Sequence, residues 1–199
     1  EAGETAFLLV QDMFNMIGTA VPPDAPAPPV MDPPGSPYNI QGDLIFPDGG
    51  EITILPDVTL NFLTEAPLEL DGELNANGGT FQPGSGMNNW GGLRFGPGSG
   101  GSLQNCRFLN SNRPLTIDGG NPSLENLEFT PADTLELIDG EGLVIEGGSP
   151  QITGTLIRNY RTGVRLTGDG GRNTPTLTNI RVRNSSESSR PEGDITGIL

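Results

Sequence analysis

The residue types best suited to chemistry in this chain are carboxylates and arginines. Asp118, Asp133, Asp139, Glu141 and Asp169 are the candidate acids, and Arg94 and Arg165 stand at equivalent places in a repeated phrase. Several carboxylates together would hold a hard divalent cation such as Ca2+, which takes oxygen ligands. Three of these acids are followed by glycine, however, as Asp118-Gly119, Asp139-Gly140 and Asp169-Gly170, and Asp-Gly is ordinary turn vocabulary. The chain has no histidine, so a serine or Cys106 nucleophile would lack its usual activating base. The Gly-rich stretches at 96–101 and 168–171 match neither a phosphate-binding loop nor a dinucleotide fingerprint. Trp90, Tyr38 and Tyr160 are aromatic faces of the kind on which sugars stack, but they are scattered. These residues predict a protein that is not an enzyme and needs no cofactor, with a surface Ca2+ site as the alternative.

Composition narrows the partners. Among 199 residues, 25 acids face 10 bases for a net charge of −15, and every base is arginine. Such a polyanion repels nucleic-acid phosphates and anionic lipid headgroups, so neither is expected as a partner. No run reaches the roughly 18 apolar residues of a membrane span, so no membrane insertion is expected. The single Cys106 excludes an intrachain disulfide. It fills an apolar slot, where a small buried hydrophobe is expected. The first residue is Glu1 rather than Met, which is compatible with a secreted protein freed of its signal peptide or with a trimmed chain.

The elements that would carry these residues repeat. Leu103-Gln104-Asn105-Cys106-Arg107-Phe108 returns from Leu124, Ile152 and Leu177, at intervals of 21, 28 and 25 residues. The template is aliphatic-x-Asn/Gly-x-x-Phe/Ile/Val. A second phrase, Gly-aliphatic-x-aliphatic/Phe, recurs at Gly92, Gly142 and Gly163, and a third, Pro-x-aliphatic, at Pro122, Pro150 and Pro175. Three short strands per cycle, each bounded by turn residues, predict a coil whose units bury their apolar faces only by stacking. Asn105, Asn126 and Asn179 are predicted to form a turn ladder, since asparagine and glycine best tolerate a left-handed bend. Stacked asparagines can also hydrogen-bond from rung to rung. An antiparallel sandwich also shows short strands and frequent turns, but it does not require the same phrase at each return.

Two segments lie outside the repeats. Residues 1–20 predict a short amphipathic helix with Phe7, Val10, Phe14 and Ile17 on its apolar stripe. At about four turns it is too short to stand alone in water, so it must dock. Residues 21–39 are proline-rich, including Pro22, Pro28 and Pro33. They predict an extended arm that acts as a clasp on its own domain or on a neighbouring subunit. The coil is expected over 40–199.

Trp90-Gly91-Gly92-Leu93-Arg94-Phe95 followed by Leu103-x-Asn105-Cys106-x-Phe108-x-Asn110 resembles the right-handed parallel β-helix repeats of the pectin-lyase-like superfamily. The run from Gly42 to Phe62 is similar to the opening rungs of secreted bacterial β-helix-repeat proteins. The resemblance covers roughly 40–199. It implies an all-β right-handed parallel β-helix, here with a short N-terminal α-helix and a Pro-rich extended arm. Hydrolases of that fold use clustered Asp, commonly with a nearby His, and its lyases use Ca2+ on several carboxylates with an Arg or Lys base. The acids and arginines named above are the only candidates for a Ca2+-dependent polysaccharide lyase.

The functional expectation is a non-catalytic extracellular or cell-surface protein that self-assembles into a filament or similar homopolymer. Candidate interface residues are the helix stripe, the arm prolines, and Ile195, Ile198 and Leu199 in an apolar ending. Strand edges at the ends of a coil must be capped or used. The alternatives are a carbohydrate-binding or lyase-like module, and the N-terminal part of a larger adhesin.

Overall fold

The computed structural model describes residues 18–23, 25–46, 50–132, 137–167 and 174–184. Over these residues the chain is an all-β parallel solenoid of about seven turns. Each full turn lays down one strand in each of three sheets. Gly100–Gln104 belongs to sheet I, Arg107–Leu109 to sheet II and Leu115–Ile117 to sheet III, and the chain then returns to sheet I at Ser123–Glu125. Sheet I has seven strands, from Val30–Met31 to Thr176–Thr178. Sheet II has eight, from Thr19–Val21 to Arg181–Arg183, and sheet III has five, from Leu68–Leu70 to Tyr160–Leu166. Every pairing within them is parallel.

The registers explain why the phrases recur. In-register pairing places like slots above one another, and the inward slots become continuous columns. Sheet II stacks Tyr38, Leu60, Phe81, Phe108, Phe129, Ile157 and Val182, and the first six are at most 4% exposed. Its aromatic stretch is stacked directly, with the Phe81 and Phe108 rings 4.6 Å apart and nearly parallel, and Phe129 edge-on to Phe108 at 5.1 Å. Such pairs add about 0.5–1.5 kcal/mol each beyond area burial. Trp90 stacks on Phe62 at 4.1 Å and donates its Nε1–H to the Leu109 carbonyl. Sheet III stacks Leu68, Leu93, Leu115, Leu143 and Val164.

The bend between sheets I and II is left-handed on six successive turns, at Asp57, Gly78, Asn105, Asn126, Gly154 and Asn179. Asn105 donates to Asn77 at 2.9 Å and Asn126 donates to Asn105 at 3.3 Å. Gly154 continues the column without a side chain, its φ of 70° lying in the left-handed region that glycine adopts freely. Just inside the bend run Val58, Cys106, Leu127 and Thr155, all buried. A second asparagine ladder runs along the outer face of sheet II, where Gln82 donates to Asn61 and Asn61 to Asn39, both at 3.0 Å.

The Pro-rich segment is extended, as its prolines require, but it is built into the coil. Thr19–Val21 pairs with Tyr38–Ile40, and Val30–Met31 pairs with the strand Glu51–Ile54. Between them Pro33–Gly35 forms one 3-10 turn, capped by the Asp32 side chain accepting from the Gly35 N–H. Among the described residues, pairing within the coil therefore begins at Thr19, ahead of residue 40. Proline lacks an N–H, but it does not prevent its neighbours from pairing along a ladder edge. Residues 1–17, which carry the predicted helix stripe, lie outside the described residues, as do Ile195, Ile198 and Leu199.

Candidate functional site

The candidate cations gather on the outer face of sheet III. Its central outward slot reads Glu69, Arg94, Thr116, Val144 and Arg165 from turn to turn. Arg94 and Arg165 thus share a slot, as their phrase predicts, with two rungs between them. Thr116 and Val144, in those rungs, are buried. Strand alternation places the arginines, and loops supply their partners.

Arg94 hydrogen-bonds Asp118 and lies 3.6 Å from Glu69 and 3.9 Å from Glu146. Arg165 reaches Glu146 at 3.1 Å and Glu141 at 2.7 Å. Glu141 also takes Arg113 at 2.6 Å. The result is one chain of alternating charges, from Glu69 through Arg94, Glu146, Arg165 and Glu141 to Arg113. The hydrogen bond that Arg94 donates to Asp118, and then the surrounding carboxylate charges, hold the Arg94 guanidinium above its ordinary pKa despite partial burial. Arg165 Nε is buried and close to Glu141, yet it makes no well-directed hydrogen bond. That contact is a charge pair and not a hydrogen bond. Partial exposure limits each pair to about 1 kcal/mol or less.

This arrangement is poorly suited to chemistry. A general base must shed its proton near neutral pH, and the Arg94 guanidinium is held protonated. A Ca2+ cage needs several carboxylates whose charge is free for the ion. Here Asp118 faces Arg94, Asp139 faces Arg161 at 2.8 Å, and Glu141 faces two arginines. Among the described residues no three Asp, Glu, Cys or His side chains form a group that could hold a metal ion. Asp133 and Asp169 lie outside the described residues.

A groove of about 290 Å³ opens beside the charge chain, lined by Glu65, Asn89, Trp90, Arg94, Asn112 and Arg113 among others. Both arginines in its wall are already paired. The three aromatics proposed from sequence as sugar platforms are not on the surface, since Trp90, Tyr38 and Tyr160 are at most 4% exposed. Tyr160 donates its hydroxyl to the Ser111 carbonyl at 2.8 Å, and burial pushes its phenol pKa well above the usual value. Cys106 is fully buried, its thiol donating to the Gln104 carbonyl, and desolvation raises its pKa. A raised pKa suppresses the thiolate that nucleophilic chemistry would need.

Sequence reasoning found Arg94, Arg165, Asp118 and Glu141 but not Glu69, Glu146 or Arg113, which link them. Glu69 was visible as the slot-mate of Arg94, whereas Glu146 and Arg113 sit just outside the strands. Of the arm prolines, Pro22 and Pro28 are half-buried in the first turn and Pro33 is exposed. Asn105, Asn126 and Asn179 occupy one bend column, with φ between 52° and 55°. The chain matches no family model, no curated protein and no solved structure.

Proposed function

We propose that this chain is a non-catalytic, extracellular structural protein, a subunit that joins copies of itself end to end in a surface filament or similar polymer. In this reading the solenoid is of the right-handed, pectin-lyase-like kind and needs no cofactor. One observation carries the reading. Every pairing among the described rungs is parallel, so the face of one rung is a template on which a further rung can pair. A contact between unlike faces of such a stack propagates without closing. The paired surface arginines favour a scaffold over a catalyst, because charges already neutralised by neighbours are not free to work on a substrate. Residues 1–17, with Phe7, Val10, Phe14 and Ile17, supply the contact to the adjoining subunit.

Light scattering on the full chain and on a chain beginning at Gly18 tests this. The expected result is a concentration-dependent mass above the monomer for the full chain, reduced in the shortened one. A full chain that stays monomeric at every concentration overturns the reading. The groove beside Trp90 favours a second reading, a carbohydrate-binding module. Saturable binding of an acidic polysaccharide, lost on substituting Asn89 and Asn112, would support that reading instead.

A further inference from the structure

Proteases that cut after basic residues find few bonds to act on in this chain. Lysine is among the commonest residues of soluble proteins, yet it is absent here, and the ten bases are all arginine. Two of the arginines are followed by proline, as Arg113-Pro114 and Arg190-Pro191. The nitrogen of such a bond is locked in a ring and carries no N–H. That obstructs the protonation by which a protease expels the leaving amine.

Strand pairing covers the other described arginines. A protease holds the residues around the cut as an extended strand against its own backbone, so those residues must first leave any ladder they belong to. Arg94, Arg107 and Arg158 lie in Leu93–Phe95, Arg107–Leu109 and Leu156–Arg158, each paired on both sides. Arg161 and Arg165 lie in Tyr160–Leu166, which pairs with Ile138–Ile145. Arg181–Arg183 pairs with Leu156–Arg158, and the Arg183 carbonyl, which a protease must polarise, accepts from the Asn159 N–H at 2.8 Å.

Arg113 breaks the pattern in an informative way. Among the described arginines it alone lies outside a strand, exposed in the bend before Leu115–Ile117. It is also the described arginine that proline follows. The most accessible basic residue of the described coil therefore carries the chemical block.

We infer that the coil withholds its backbone from trypsin-like proteases, by strand pairing at Arg94, Arg107, Arg158, Arg161, Arg165, Arg181 and Arg183 and by Pro114 at Arg113. Arg172, outside the described residues, precedes Asn173 and is the one arginine that neither device covers. This protection belongs to the single coil and does not depend on self-assembly.

Trypsin digestion of the native full chain, read by intact-mass spectrometry, tests the inference. The native chain should be cut nowhere but after Arg172, and the urea-unfolded chain after every arginine that proline does not follow. Pro114→Ala restores an ordinary amide in the exposed bend and should speed cutting after Arg113 by at least about tenfold. Ser85→Arg sets a basic residue in the exposed turn between Thr80–Pro83 and Leu93–Phe95, and cutting at that position should appear. Circular dichroism confirms that each variant is folded. A native cut after any described arginine overturns the inference, as does a folded Pro114→Ala or Ser85→Arg chain that stays uncut at its new site. Protection that disappears on dilution also overturns it, because the shield would then be the assembly and not the coil.

Discussion

Asn105 offers a way to separate the two reasons for an asparagine at the sheet I to sheet II bend. Its φ is 53°, its amide donates to Asn77 at 2.9 Å, and its carbonyl oxygen accepts from Asn126 at 3.3 Å. Alanine at this position pays about 1–2 kcal/mol for a Cβ in the left-handed region. It also loses two solvent-exposed hydrogen bonds at about 0.5 kcal/mol each, the low end of the usual range. Asn105→Ala should therefore cost about 2–3 kcal/mol. Glycine accepts the left-handed angle freely, loses the same two bonds, and adds about 0.5 kcal/mol through a more flexible unfolded chain. Asn105→Gly should cost about 1.5 kcal/mol. For a chain of this size each kcal/mol moves Tm by about 2–4 °C, so thermal unfolding by circular dichroism resolves the pair. Asn77→Ala removes one ladder bond without touching a left-handed residue and should cost about 0.5 kcal/mol. If the alanine variant at 105 is as stable as the glycine variant, backbone handedness is not what selects asparagine here. If glycine matches the unmodified chain, the amide ladder contributes nothing.

Thr155 is fully buried and its hydroxyl has no hydrogen-bond partner. Thr155→Val keeps the shape and removes an unsatisfied polar group, so it should stabilise by about 1 kcal/mol and raise Tm by about 2–4 °C in the same melt; a lower Tm would show that the hydroxyl is satisfied in solution. The raised pKa values of Tyr160 and Cys106 carry a pH dependence. Both groups lose their protons more readily when unfolded, so the unfolded state binds fewer protons as pH passes the ordinary thiol and phenol values of about 8.5 and 10. Stability should be flat below about pH 8 and fall above it. In urea titrations from about pH 7 to 11, Tyr160→Phe should flatten the upper part of that fall. A slope unchanged by the substitution would refute the assignment.

The ladder was legible in the sequence wherever a position obeys a local rule. Asn105, Asn126 and Asn179 were recognisable because few residues accept a left-handed bend. Asp57 and Gly78 make the same bend but escaped notice: Asp57 is neither Asn nor Gly and follows Ile54 by three residues, while Ala76-Asn77-Gly78-Gly79-Thr80-Phe81 keeps the spacing with only an alanine in the aliphatic slot. The Pro-rich stretch was read as an arm because its composition reports missing donors. Whether Thr19–Val21 and Val30–Met31 pair depends on Tyr38–Ile40 and Glu51–Ile54, which only the folded register brings alongside. The same limit applies to the surface. Periodicity put Arg94 and Arg165 in one outward slot, but Glu146 reaches both from a loop whose path no periodicity encodes.

Sequence alone pointed to a chain that stacks, because a phrase repeated at each return buries its apolar face against its own copies. It also marked the bends at Asn105, Asn126 and Asn179. The tertiary structure decided what the outward residues became. Coiling set loops of different rungs beside one another, and proximity across rungs neutralised Arg94, Arg113 and Arg165, while Arg181 and Arg183 have no carboxylate against them among the described residues. Charge pairing depends on distance in space, and the same arginine is spent or free according to the turn on which it lies.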